Sequence, residues 1–244
     1  MRIITLIILV LTFLTSCSKK NECGNRFDFI TTNDSIPILK LDYSEDAESR
    51  LEKMNNLYGI DLCEICSWVE FKMPFKIEGE NGYLKLMADF NYPYCPNCPI
   101  AIIIRNHFGI SVNSNNQILA QGNLVLVDSL KTEIKNYLSK VGEDDDFPES
   151  FERVKYYVNW NKNSDSKFIE SIFTCIYSTH TEFIASKLSD KGTDFCSLDI
   201  DELNKLKMQY PIKIQINSGK SIEMPSPAQM ENLRKYFEED NDLK

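Results

Sequence analysis

The run VKYYVNWNKNSDSKFIESIFTCI, residues 154–176, holds the decision about the fold. Its first seven residues alternate. Val154, Tyr156, Val158 and Trp160 carry the apolar bulk, with Lys155, Tyr157 and Asn159 between them, the two-residue period of a strand with one face in a core. The polar stretch Asn161–Ser164 ends the strand, and Ser164 or Asp165 stands where a helix cap belongs. Phe168, Ile169, Ile172, Cys175 and Ile176 then recur at three- and four-residue spacing, one apolar stripe on one helix. A strand with one dry face followed by a helix with one dry stripe implies a sheet with helices laid on it.

The same grammar extends outward. Upstream, Val127, Leu130, Ile134, Tyr137, Leu138 and Val141 predict a helix over 127–140, preceded by a short strand that begins at Ile110 and Val112, before Ile118 and Ala120. Ile100–Ile104 reads as a buried strand, joined to the next by the turn Asn106-His107-Phe108-Gly109. Downstream, Phe183, Ile184 and Ala185 read as a closing strand. Residues 99–189 thus form a ββαβαβ unit with both helices on one face. The predicted fold class is α+β: a small sheet with helices packed on one face, plus an N-terminal β-rich region holding four cysteines.

That region covers residues 26–98. It opens with the mixed run Phe27 to Leu41, strand-like stretches broken by Asn33-Asp34 and Pro37, then reads as a helix over 44–57, capped by Ser44 and stopped by Gly59, and continues as strands from Trp68 to Tyr92 folded back at Glu80-Asn81-Gly82, a strong hairpin signal. Residues 190–244 form a C-terminal extension, with a helix from Asp199 to Met208, an alternating strand at Ile212, Ile214 and Ile216, and a helix from Pro227 to Glu238.

The N-terminus carries an address. Arg2 precedes an apolar run from Ile3 to Leu14. Spanning helices need about 20 apolar residues and signal cores about 7–15, so the run is a signal peptide. Leu14-Thr15-Ser16-Cys17 resembles the lipobox of bacterial lipoproteins, which implies that residues 1–16 are removed and that Cys17 is acylated. An ordinary secretory signal that happens to end near a cysteine is the alternative. Residues 17–25 then form a tether, whose Ser18-Lys19-Lys20-Asn21-Glu22 also resembles the charged export signals of surface lipoproteins in Bacteroidota. The expected location is the cell envelope, lipid-anchored, facing periplasm or cell surface.

Eight cysteines are present, and seven remain once Cys17 is given to lipid. An odd number leaves at least one free thiol or one bond to another chain. Cys63-Glu64-Ile65-Cys66 and Cys95-Pro96-Asn97-Cys98 are two CxxC knuckles with 28 residues between them. Three readings follow: disulfide staples, a structural zinc site and a redox couple. The hairpin would bring all four cysteines together in any of them. Pro99 after the second knuckle speaks against the redox reading, because a reactive CxxC usually opens a helix that lowers the thiol pKa.

No catalytic signature emerges, and the expected activity is non-enzymatic. The two histidines, His107 and His180, lie in no metal or nucleophile motif, His107 in a turn and His180 just past a helix. Asp199 with Asp201, and Asp144-Asp145-Asp146, lack the spacing of a calcium loop. Tyr92, Tyr94, Tyr156, Tyr157 and Trp160 invite a sugar-stacking platform, although alternating strand aromatics are more often half core. The net charge of −9 becomes −10 when Arg2 leaves with the signal. No basic stripe is visible, so nucleic acid and anionic lipid surfaces are not expected partners.

The runs Ile100–Ile104, Gly109-Ile110-Ser111-Val112-Asn113, Val127-Asp128-Ser129-Leu130 and Tyr156-Tyr157-Val158, with the helix from Phe168, resemble the periplasmic domain of the ExbD/TolR biopolymer-transport family in pattern and element order. The resemblance covers about 90 residues of the chain and implies binding to an envelope protein, to peptidoglycan or to a second copy. That family's N-terminal membrane helix with its proton-coupling aspartate has no counterpart here. No functional residue carries over.

Overall fold

The computed structural model describes residues 35–66, 68–77, 80–89, 95 and 104–217. They form one seven-stranded mixed sheet with helices, an α+β arrangement. The strands are β1 (Val69–Ile77), β2 (Glu80–Asp89), β3 (His107–Val112), β4 (Ile118–Ala120), β5 (Asn123–Val125), β6 (Lys155–Trp160) and β7 (Ile214–Asn217). The helices are α1 (Ala47–Tyr58), the single turn α2 (Leu62–Ile65), α3 (Val127–Ser139), α4 (Ser166–Ser189) and α5 (Ile200–Gln209). Strand order is β1-β2-β7-β6-β3-β4-β5. The central four, β2, β7, β6 and β3, are mutually parallel, and antiparallel pairs flank them on both sides.

Register explains the core. Phe71, Leu86, Ile214, Tyr156 and Phe108 are successive partners across five strands and form one row, each at most 1% exposed. Alternate residues along the same strands, including Val112, Val158, Trp160, Ile216 and Ala88, extend this face, and the burial of β3 alternates residue by residue. Both long helices cover it. Tyr137 of α3 lies 5.2 Å from Phe108 between ring centroids, and Phe173 of α4 lies 6.3 Å from Trp160. Lys131 and Lys135 of α3 reach Glu182 of α4 at 2.6 and 3.0 Å. The connections β3 to β6 and β6 to β7 both step one strand in the same direction, so a common hand puts their helices on a common face.

The N-terminal segment is clamped to the same side. Trp160 Nε1 donates to the Tyr43 carbonyl at 2.9 Å, the Tyr43 ring meets Trp160 edge-on, and Arg50 of α1 lays its guanidinium 4.8 Å from the Trp160 ring centre. Such a buried cation–π contact contributes roughly 1–2 kcal/mol. At the far end of α4, Ile184 gathers Phe195, Leu203, Leu206 and Tyr210 into a second cluster beneath α5, whose start is fixed by a capping box of Asp199 and Glu202.

Several expectations need correction. Phe183, Ile184 and Ala185 are not a strand, because α4 runs unbroken to Ser189. The place of the last strand after α4 is taken by β7, from the C-terminal extension. The N-terminal hairpin joins this same sheet through β2 and β7. Asn81 and Gly82 lie within β2, paired with Lys76 and Phe75, and the chain reverses between Ile77 and Glu80 instead. That register sets Leu86 against Phe71 and Leu84 against Met73, and the packing of those pairs outweighs a local turn preference. Asp46, not Ser44, caps α1, since Asp42 Oδ1 already accepts from both the Ser44 N–H and its hydroxyl. His107 begins β3 rather than a turn, which follows the short 3-10 stretch Ile104–Asn106. Ile100 to Ile103 and residues 218–244, with the predicted helix from Pro227, lie outside the described residues.

Some local chemistry was not foreseen. Gln121 and Gly122, both at positive φ, form the two-residue turn joining β4 to β5. Pro74 sits in β1, an edge strand, where a missing N–H costs no ladder bond.

Ile214 is fully buried at the seam between the hairpin and the rest of the sheet. Ile214→Ala is expected to cost about 2–5 kcal/mol in urea unfolding. Tryptophan fluorescence and far-ultraviolet circular dichroism should still report one shared transition; two separated transitions would show that the hairpin folds apart.

Candidate functional site

The cysteine corner is built by a single helical turn. Asp61 caps α2 by accepting from the Cys63 N–H at 2.9 Å, Leu62 is buried beneath it, and Cys66 closes it in the left-handed region at φ 47°. Cys63 is bonded to Cys95, with Cα atoms 5.0 Å apart and Cys95 only 1% exposed. The bond joins the two knuckles and does not close either of them. Cys66 and Cys196 are disulfide-bonded as well, and Cys98 lies outside the described residues. In this state Cys63 and Cys95 offer no thiolate to zinc, and neither knuckle holds the vicinal pair that a CxxC redox couple interconverts. Cys175 is a free thiol on α4, and its half-buried position pushes its pKa up, toward the unreactive form.

His180 lies inside α4, not beyond it, and is fully buried. Its Nδ1 meets the Tyr156 hydroxyl at 2.7 Å, while Nε2 faces the Tyr210 backbone without reaching hydrogen-bond geometry. Burial pushes the imidazole down to about 4 and the Tyr156 hydroxyl well up, so both are neutral at ordinary pH. The pair ties β6 to α4. It is a structural hydrogen bond.

The remaining candidates disperse. Asp199 is a helix cap, Asp144 accepts from the Asp146 N–H in a tight turn, and Asp145 points toward Arg105. No group of three or more histidine, cysteine, aspartate or glutamate side chains among the described residues could hold a metal. Tyr156 and Trp160 face the helices and Tyr157 the opposite side, while Tyr92 and Tyr94 lie outside the described residues, so the aromatic platform does not assemble.

One assembly was not visible in the sequence. A single residue along each strand from the buried row stand Lys72, Lys85, Lys213, Lys155 and His107, on the face opposite the helices. Lys72 pairs with Lys85, and Lys155 with His107. Lys213 directly precedes Ile214, which is paired to Leu86 and Tyr156, so it lies between Lys85 and Lys155. Burial, with Lys155 beside it and Lys85 further along, draws the Lys213 pKa down. Each lysine comes from a different strand, and only register aligns them.

Comparison with family models, with curated proteins and with solved structures found no match.

Two outcomes follow from this geometry. Cys63→Ser with Cys95→Ser releases a crosslink between residues 32 apart and should cost about 2–4 kcal/mol in denaturant unfolding; unchanged stability would mean the bond contributes nothing. For His180, the folded pKa near 4 lies below the unfolded value of about 6.5, so the unfolded chain binds the extra proton between them. Stability should be full above about pH 6.5, fall by roughly 3 kcal/mol at most as pH drops toward 4, and lose this dependence below that. Melting curves from pH 7.5 to 4.5 should show the slope, and His180→Gln should flatten it.

Proposed function

We propose that this chain is a bacterial cell-envelope lipoprotein, held on a membrane by acyl groups on Cys17, whose disulfide-stapled body is a non-enzymatic binding or accessory module. The disulfide bonds of the body carry the reading. Cys63, Cys66, Cys95 and Cys196 are disulfide-bonded and Cys175 is a thiol among the described residues. Disulfides persist in exported chains and are rare in the cytosol. No helix among the described residues is long and apolar enough to cross a membrane, and a lipid anchor needs none.

The link to biopolymer transport belongs to the same proposal. The ββαβαβ order of the ExbD/TolR periplasmic domain has a parallel in the sequence β3, β4, α3, β6, α4 and β7, with β5 added to the hairpin and α5 inserted before the last strand. A partner protein, peptidoglycan or a second copy of the chain are the partners this resemblance implies, with proton coupling left to other components.

Metabolic labelling with a clickable fatty-acid analogue tests the anchor. The wild-type chain should take up label and fractionate with membranes. Cys17→Ala should be unlabelled and accumulate as precursor, because no other acyl acceptor stands at the signal boundary. Undiminished label on Cys17→Ala would sink the assignment.

A further inference from the structure

The sheet has two edges, and the chain treats them differently. Along β1 runs the segment from Pro37 to Leu39: the Lys72 N–H donates to the Pro37 carbonyl at 2.8 Å and the Leu39 N–H to the Lys72 carbonyl at 2.9 Å. Pro74 and Lys76 guard the rest of that strand, the usual defences of a sheet edge. β5, at the other edge, has no proline and no charge, and only its shortness protects it. Residues 121–124 and 126–128 are all exposed, Leu124 at 58% and Leu126 at 77%. Register decides which backbone groups face outward here. Ala120 and Asn123 close a two-residue turn as a hydrogen-bonded pair, so the next pair, Leu119 with Leu124, exchanges no bonds. The N–H and carbonyl of Leu124 therefore point away from β4, off the edge of the sheet.

We infer that β5 pairs antiparallel with β5 of a second copy, about a two-fold axis that passes through Leu124. On that axis Leu124 stands opposite itself, and each copy's N–H donates to the other's carbonyl, so the outward groups satisfy one another. The arrangement closes, because joining the β5 edges leaves only the two guarded β1 edges at the ends of the combined sheet. Charge selects the same occupant. From Phe108 to Val127 no residue is charged, in a chain where 26% of residues are. Two copies of net charge −9 repel one another, and at this edge they meet without bringing carboxylates together. Asp128, the next residue, stands in each copy at the opposite end of the paired strands from its counterpart. With β5 only three residues long, the contact belongs to the weak, reversible class. Among the partners proposed above this singles out a second copy on the evidence of the edge itself, and it rests on that reading only for the body being a binding module.

The test is sedimentation of the mature, disulfide-bonded chain carrying Cys17→Ser, so that neither lipid nor that thiol joins copies. From about 5 to 500 µM it should pass reversibly from monomer toward dimer, and added salt should leave the association unchanged or strengthen it by screening the like net charges. Leu124→Lys and Leu124→Glu should each weaken it about tenfold or more, because the axis sets each new charge against its own copy. An equimolar mixture of the two should recover it, which also shows that both variants fold. Met208→Lys, exposed on α5, should change nothing. Leu124→Cys should crosslink two copies under mild oxidation, since a hydrogen-bonded antiparallel pair has Cα atoms about 5.5 Å apart, within disulfide reach; Met208→Cys should not. A chain that stays monomeric overturns the inference, whether the Leu124→Cys thiol is shielded from maleimide, as under a segment of the same chain, or reactive, as at an edge kept for another partner. So does association indifferent to both charged variants, or a mixture that fails to recover it. Labelling at Cys17 reads the anchor separately, so either reading can fail while the other stands.

Discussion

The row Phe71, Leu86, Ile214, Tyr156 and Phe108 fixes the register of five strands at once. Each side chain is buried between two neighbours on the sheet and beneath the helices, so a slip of one residue in any strand would turn its whole apolar set toward the wrong face. β7 bears most of this constraint. It has only four residues, yet it pairs with β2 on one side and β6 on the other, and through it the hairpin and the crossover unit become one sheet. A strand so short owes its place to burial and to ladder bonds on both edges rather than to its own propensity.

The same register makes the protein two-sided. Three helices spend their apolar stripes on one face, and the Trp160, Tyr43 and Arg50 contact closes its end. The opposite face holds what the alternation leaves there, and in one row this is four lysines and a histidine. The physical tension lies there, since Lys213 is half-buried between like charges and its affinity for a proton is lowered accordingly. By contrast, the buried polar groups that resemble a site turn out to be joinery. His180 and Tyr156 satisfy one another, and Cys63 and Cys95 are spent on a covalent bond.

Much of the architecture could be read from periodicity. The stripes at Leu130, Ile134 and Leu138 and at Ile169, Ile172 and Ile176 are the buried faces of α3 and α4, and the alternation from Val154 to Trp160 is β6. The errors share one cause. Ser178, Thr179, His180 and Thr181 are polar and read as the end of a helix, but three of them are buried inside α4, where the Tyr156 hydroxyl supplies a partner for the imidazole. Asn81-Gly82 is a good turn in isolation, and cross-strand packing placed it in a strand. In both cases a non-local partner reversed a local preference.

The sequence by itself determined most of the helices and strands and which side of each is dry, because these depend on neighbours a few residues apart. The tertiary structure alone decided that β7 belongs at the centre of the sheet, that Cys63 meets Cys95, and that Lys72, Lys85, Lys213, Lys155 and His107 stand side by side. Each of those lysines looks in sequence like an ordinary solvated strand residue, separated from the next by 13 to 70 positions. A strand's own period says only which face a residue takes. What stands beside it on that face is set by register between strands, and register is fixed by the packing of the buried row on the other side.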